Sequence, residues 1–217
     1  MQYPEGNVMR SLSILPVLAA LSAAGATMGS VASPAAAQLY STSYRFLEAV
    51  RERNGTQATE LLNEPGTNIV NTRDTSTGRT ALHIVIERRD LTWLNFLLQR
   101  GADPRIADRA GVTPLRQATE IGFVDAARAL IARGAAVDQT NSRGETALQI
   151  AVQRRDLAMV RFLVGAGANP DLPDSVTGKS ARDYAREDPR AGAVLAALNA
   201  PREAPTNAPP APVAGPN

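Results

Sequence analysis

The sequence predicts an all-α solenoid, a stack of short helix-turn-helix units with short β-hairpin tips, rather than one folded-back globule. Two observations carry that expectation. Gly78, Gly111 and Gly144 stand 33 residues apart, and the same step separates Thr80, Thr113 and Thr146, Leu82, Leu115 and Leu148, and Gly101, Gly134 and Gly167. Self-similarity at such a period marks units that bury their faces only against their neighbours. Within each unit, apolar residues recur at helical spacing, as in Leu94, Leu97 and Leu98 or Val160, Leu163 and Val164, which gives each helix one buried face.

The elements of a unit follow in order. The turn glycine permits the positive φ of a tight turn. The threonine two residues later caps the first helix, and the proline at 114 suits a first helical turn. The Gly-Ala pair that closes the unit ends the second helix on a left-handed residue. Three units are clear, at 74–107, 108–140 and 141–173. Their turns read Gly78-Arg79-Thr80-Ala81-Leu82-His83, Gly111-Val112-Thr113-Pro114-Leu115 and Gly144-Glu145-Thr146-Ala147-Leu148.

These residues resemble the ankyrin repeat, whose signature is Gly-x-Thr-Pro-Leu-His-x-Ala with a terminal Leu-Leu-x-x-Gly-Ala. The resemblance covers about residues 44–199, with divergent capping units at 44–73 and 174–199. End units need one polar outer face, so their divergence is expected. In such proteins the histidine at position 83 bonds neighbouring turns, no catalytic residues are implied, and partners are bound through hairpin tips and the exposed face of the first helices.

Departures from the pattern carry their own expectations. Arg89 and Arg155 stand where Gly122 keeps the glycine between paired helices, so those loops should be slightly strained or differently shaped, at a cost of about 1 kcal/mol each. Asp90 and Asp156, next in line, can cap the second helices. Asp74 to Gly78 and Asp174 to Gly178 hold one residue more than Asp108 to Gly111, so those tips should project differently.

Composition narrows the functional classes. The 217 residues carry 23 basic and 21 acidic side chains, too balanced for a nucleic-acid binder. Lys179 is the single lysine. Without cysteine there is no disulfide, thiolate metal site or cysteine nucleophile. His83 is the only histidine, so neither a histidine metal cluster nor a triad can be built. Thr177-Gly178-Lys179-Ser180 looks like the end of a phosphate loop, but Pro173 replaces the first glycine of that motif. Asp183, Glu187 and Asp188 read as a solvated face, and Trp93 as a packed residue of a second helix. No cofactor, metal or catalytic residue is expected.

The two ends differ from the middle. Arg10, the apolar run Leu12–Leu21 and the stretch ending Ala35-Ala36-Ala37 form a secretory signal pattern. Cleavage is expected after Ala37, with Met9 the start that gives a signal of ordinary length. Pro16, the serines and Gly25 would make a poor membrane-spanning helix, so no stable insertion is expected after cleavage. Residues 38–43 read as a short linker, and the proline-rich segment 200–217 as a tail unable to bury enough surface to order itself.

The expected function is a non-enzymatic, monomeric protein-binding module, periplasmic or secreted. A secreted effector that binds host proteins and an accessory partner of a periplasmic enzyme are the alternatives. The residues expected to meet the partner are Arg79, Arg109, Val112, Arg143, Glu145 and Lys179 at the tips. Arg88, Glu120 and Arg154 join them on the first helices. Together they suggest a mixed, mildly basic surface that favours an acidic protein patch.

Overall fold

A helix of two turns leaves most of its terminal backbone groups without intrahelical partners, and it is too short to be stable alone. Such helices exist here because each is sandwiched between neighbours and most are capped. The computed structural model describes residues 34–65 and 68–200, with side chains from Thr42 onward. Among these residues run α1 (Pro34–Glu52), α2 (Gly55–Asn63), a 3₁₀ turn (Ile69–Asn71), α3 (Ala81–Glu87) and α4 (Leu91–Gln99). Then follow α5 (Pro114–Glu120), α6 (Val124–Ala132), α7 (Ala147–Gln153), α8 (Leu157–Gly165), α9 (Ala181–Glu187) and α10 (Gly192–Leu198). The first helices, α1, α3, α5, α7 and α9, pack side by side in one layer, and α4, α6, α8 and α10 form the second.

The core lies between and within these layers. In α3 every residue from Ala81 to Ile86 is buried, and only Glu87 faces solvent. Leu82, Leu115 and Leu148, the repeated leucine, are all essentially inaccessible. Trp93 is also buried and meets the Phe96 ring edge-on, with centroids 5.7 Å apart.

Caps start the helices where the sequence puts them. Thr113 and Thr146 accept bonds from the amides of Arg116 and Gln149. Asp90 and Asp156 accept from the amides of Trp93 and Met159 at the second helices, 3.1 and 3.0 Å away. α6 is preceded by Phe123, which provides no side-chain cap.

The tips divide into the two expected kinds. At the longer ones the Gly78 amide bonds Asp74 O and the Gly178 amide bonds Asp174 O, whereas Gly111 and Gly144 reach back three residues, to Asp108 and Asn141. Only the longer tips close with an antiparallel bridge among the described residues, Arg73 to Thr80 and Pro173 to Ser180. Their aspartates organise the turn. Asp74 Oδ1 accepts from the amides and hydroxyls of Ser76 and Thr77. Asp174 accepts from the amides of Val176 and Thr177, and from the Thr177 and Tyr184 hydroxyls. These donors hold both carboxyls far below the usual carboxylate range.

Arg89 and Arg155 adopt the left-handed conformation of the glycine they replace, with φ of 56° and 55° against 63° at Gly122. The loops are therefore strained rather than reshaped, and Arg53 (φ 59°) repeats the feature at the front of the stack.

One expectation is corrected. Residues 38–43 are not a linker, because α1 begins at Pro34 and runs through them. Proline suits the first helical position, Ala35, Ala36 and Ala37 are the strongest helix formers, and no further proline or glycine intervenes before Asn54. The bond after Ala37 lies inside this helix. Residues 1–33 and 201–217, where the rest of the export signal and the proline-rich tail are expected, lie outside the described residues.

The tips also touch each other, which separates glycines that look alike in the sequence. A methyl group on Gly144 would sit 2.4 Å from Ser175 Oγ and 2.7 Å from its amide nitrogen, whereas one on Gly167 would meet nothing within 4 Å. Both have positive φ. Gly167→Ala should therefore cost about 1 kcal/mol from strain alone. Gly144→Ala should cost about 2–3 kcal/mol, because the adjoining tip must also move. Urea unfolding of the two variants measures the difference, and equal losses would contradict this account.

Candidate binding surface

The tips and first helices form a continuous edge, because tip side chains reach along the helices behind them. Arg79 illustrates this, pairing with Glu87 at the far end of α3 at 2.9 Å while its other nitrogen donates to His83 O. Lys179 does the same on α9, with its ammonium 2.6 Å from Glu87's counterpart Glu187 and 5.9 Å from the centre of the Tyr184 ring. Arg143 pairs with Glu145 at 2.8 Å. Three of the four basic side chains expected at the tips are thus matched by a carboxylate of this chain.

The remaining expected residues fall into different roles. Glu145 is mostly buried, its side chain 14% exposed, and one oxygen meets Asn141, Arg143 and Arg116. Glu120 pairs with Arg116 at 3.0 Å. Arg109 binds the preceding tip, with its guanidinium 2.7 Å from Ser76 O and its amide 3.0 Å from Thr77 O. Val112 is half-buried and contributes its carbonyl to His83. Arg88 reaches backwards, donating to Val50 O and Arg51 O at the end of α1, at 2.5 and 2.8 Å. Arg154 is exposed at the end of α7.

Beneath this edge lies a polar position three residues into each first helix, occupied in turn by His83, Arg116, Gln149 and Asp183. His83 Nδ1 accepts from the Thr80 amide at 3.1 Å, which fixes the proton on Nε2, and Nε2 donates to Val112 O of the next tip at 2.9 Å. Burial lowers its pKa below the ordinary histidine value. Gln149 reproduces both bonds. Its Oε1 accepts from the Thr146 amide at 2.7 Å, and its Nε2 donates to Leu172 O and Lys179 O. Arg116 has no acceptor to offer, and its guanidinium turns to Glu120 and Glu145 instead. Gln149 and Arg116 did not stand out in the sequence, although their register with His83 was the signal that could have found them.

A second set of arginines joins repeat to repeat at the helix ends. Arg89 donates to Ile121 O at 2.6 Å and Gly122 O at 3.3 Å, and its guanidinium lies 5.0 Å over the Phe123 ring. Arg133 donates to Leu98 O at 2.9 Å, and Arg155 pairs with Asp188 at 2.9 Å. Guanidinium forks suit this work because their N–H groups spread in a fixed plane.

Among the described residues no group of three or more His, Asp or Glu is placed to hold a metal ion. No described helix is long and apolar enough to cross a membrane.

Capped helix pairs, glycine turns and side-chain bridges between tips define a repeat protein built to present an edge. A family model of ankyrin repeats (three copies) matches residues 46–138 and 87–174, more than half of the chain between them. The chain belongs to the ankyrin-repeat family. It is 38% identical over 102 residues to an ankyrin repeat protein of Rickettsia bellii, covering 44% of this chain and 29% of that one. It is 40% identical over 91 residues to an ankyrin repeat-containing protein of Treponema pallidum, covering 42% of this chain and 30% of the relative. With ankyrin repeat domain-containing protein 63 of Homo sapiens it shares 34% identity over 146 residues, 60% of this chain and 38% of the other. The chain therefore spans well under half the length of each of these relatives. Ankyrin repeats are generally modules of protein–protein interaction.

The two bridging side chains make a direct test. His83→Ala leaves the Thr80 amide and Val112 O without their partner and should cost about 2–4 kcal/mol. His83→Gln, which copies what Gln149 does, should cost less than about 1 kcal/mol. The depressed folded pKa means that stability from neutral His83 is complete above the unfolded value, near 6.5, and is lost as pH falls from there. Thermal melts between pH 7.5 and 5 should show this decline in the wild type and lack that part of it in His83→Gln.

Proposed function

We propose that this chain is a non-catalytic protein-binding module of the bacterial envelope, meeting its partner along the tips and the exposed ends of the first helices. The observation that carries the reading is the tip edge itself. Arg79, Arg143 and Lys179 are held in place by Glu87, Glu145 and Glu187, and backbone bonds such as Ser175 N to Arg143 O fix one tip against the next. A surface fixed in advance loses little conformational freedom on association. The Arg79–Glu87 and Lys179–Glu187 pairs lie at the surface, where ion pairs contribute little to folding, so they can exchange partners at low cost when another protein docks. Arg109 and Arg154 are among the tip and first-helix cations that no carboxylate of the described chain neutralises, and they give the edge its preference for an acidic patch.

Export is supported by the charged start, the apolar run Leu12–Leu21 and the alanines before Gln38.

Two measurements test these statements separately. The variant Arg79→Ala/Arg109→Ala/Arg143→Ala/Lys179→Ala should weaken binding to a crosslinked and purified partner at least tenfold while its circular dichroism stays that of the wild type. Unchanged affinity would refute the tip reading. Fractionation of cells making a C-terminally tagged chain should give a periplasmic species whose N-terminal sequence starts at Gln38. An unprocessed cytoplasmic species would refute export and leave the binding test untouched.

A further inference from the structure

The opposite layer carries charge of a different kind. On α4, α6 and α8, with the residues that cap their C-termini, the ionisable side chains are Arg100, Asp125, Arg128, Arg133 and Arg161, four guanidiniums against one carboxylate. All five residues are exposed. None of the four arginines has a carboxylate within ion-pair distance among the described residues, although the first-helix layer is laced with such pairs. Asp125, on α6 three residues before Arg128, forms no ion pair either.

Three of the four guanidiniums are nevertheless oriented. Arg128 of α6 stacks over Phe162 of α8 at 4.9 Å, and Arg100 over Phe96 at 5.1 Å. Arg133 is anchored on Leu98 O and Arg100 on Asn63 Oδ1. Arg128 and Arg161 share a register one repeat apart, as do Arg100 and Arg133. Neighbouring packed helices lie about 8–10 Å apart, so the array repeats positive charge at roughly that interval.

We infer that this second-helix face is an additional docking surface, separate from the tip edge, for an acidic protein segment whose carboxylates engage Arg128, Arg133 and Arg161. Charge complementarity selects the class of occupant. Exposed guanidiniums without an ion pair match carboxylates in the bidentate manner. A lipid surface is disfavoured because the exposed large apolar side chains among the described residues, Tyr44 and Val176, lie on α1 and a tip and not on this face. Nucleic acid is disfavoured by the overall charge of +2.

The test uses the full chain and a fluorescein-labelled peptide of eight glutamates, read by fluorescence anisotropy at low salt. Arg128→Gln/Arg161→Gln should weaken binding at least tenfold, a larger loss than the tip variant described above produces. Arg161 makes no side-chain hydrogen bond, ion pair or ring contact among the described residues, so Arg161→Gln alone, expected to lose at least threefold, separates recognition from folding. Loss confined to the tip variant would overturn the inference while upholding the tip reading. No binding of the peptide by the wild type would also overturn it, as would binding to phosphatidylserine vesicles without binding to the peptide. The tip reading keeps its own assay, capture of the crosslinked partner, so the two can fail independently.

Discussion

No repeat in this chain can satisfy its own surfaces, and everything else in the structure depends on that. α3 has seven residues, six of them buried, and a helix of that length does not persist alone in water. Its apolar sides are covered by α1, α4 and α5. Its N-terminus is closed within the repeat, and other helix ends are completed by neighbours. Thr80 and His83 close the N-terminus, and the carbonyls that end other helices receive Arg88, Arg89 and Arg133 from adjoining repeats. Stacking therefore supplies hydrophobic burial and hydrogen bonds together, which couples each unit's stability to the units on either side.

Arginine is the residue that makes those couplings, and its near monopoly over lysine has a structural reason. A guanidinium in a left-handed loop offsets backbone strain of about 1 kcal/mol by charge-assisted bonds to the next repeat's carbonyls, each worth about 1.5–3 kcal/mol. Arg89 does this toward Ile121 and Gly122. Where the loop residue is Gly122, no side chain is present to reach forward, and the second and third repeats meet through Arg116 and Glu145, Asp138 and the Asn169 amide, and Arg128 and Phe162. A partly buried ion pair is weak evidence for stability, so that junction differs in kind from those bridged by His83 and Gln149.

This division of labour bears on recognition. Charges that tie repeats together or pair across a tip are partly used up, and those left over lie mainly on the second helices. The tip edge offers fixed, alternating charge, whereas the second-helix face offers oriented positive charge. A chain with a net charge near zero can thus show two surfaces of different electrostatic character, because what matters is which side chains the fold leaves unmatched.

The period of 33, the turn glycines, the threonine caps and the aspartate caps Asp90 and Asp156 were legible in the sequence because each reports a bond spanning a few residues. The same locality made the longer tips at Asp74 and Asp174 readable. Helix propensity across Pro34–Glu52 was equally present, yet the alanines also fit a cleavage site, and one composition served two readings. Only the tertiary structure decided the rest. That Gln149 stands in for His83, that Arg88 points backwards and Arg89 forwards, and that Glu145 is enclosed rather than displayed depend on contacts made about 23–38 residues along the chain. Long polar side chains have many rotamers, and which one is occupied is set by the carbonyl or carboxylate that the neighbouring repeat happens to bring within reach. The chain's own pattern fixed where the helices begin and end, and the packing of one repeat on the next selected which charges were spent on the stack and which remained at its surface.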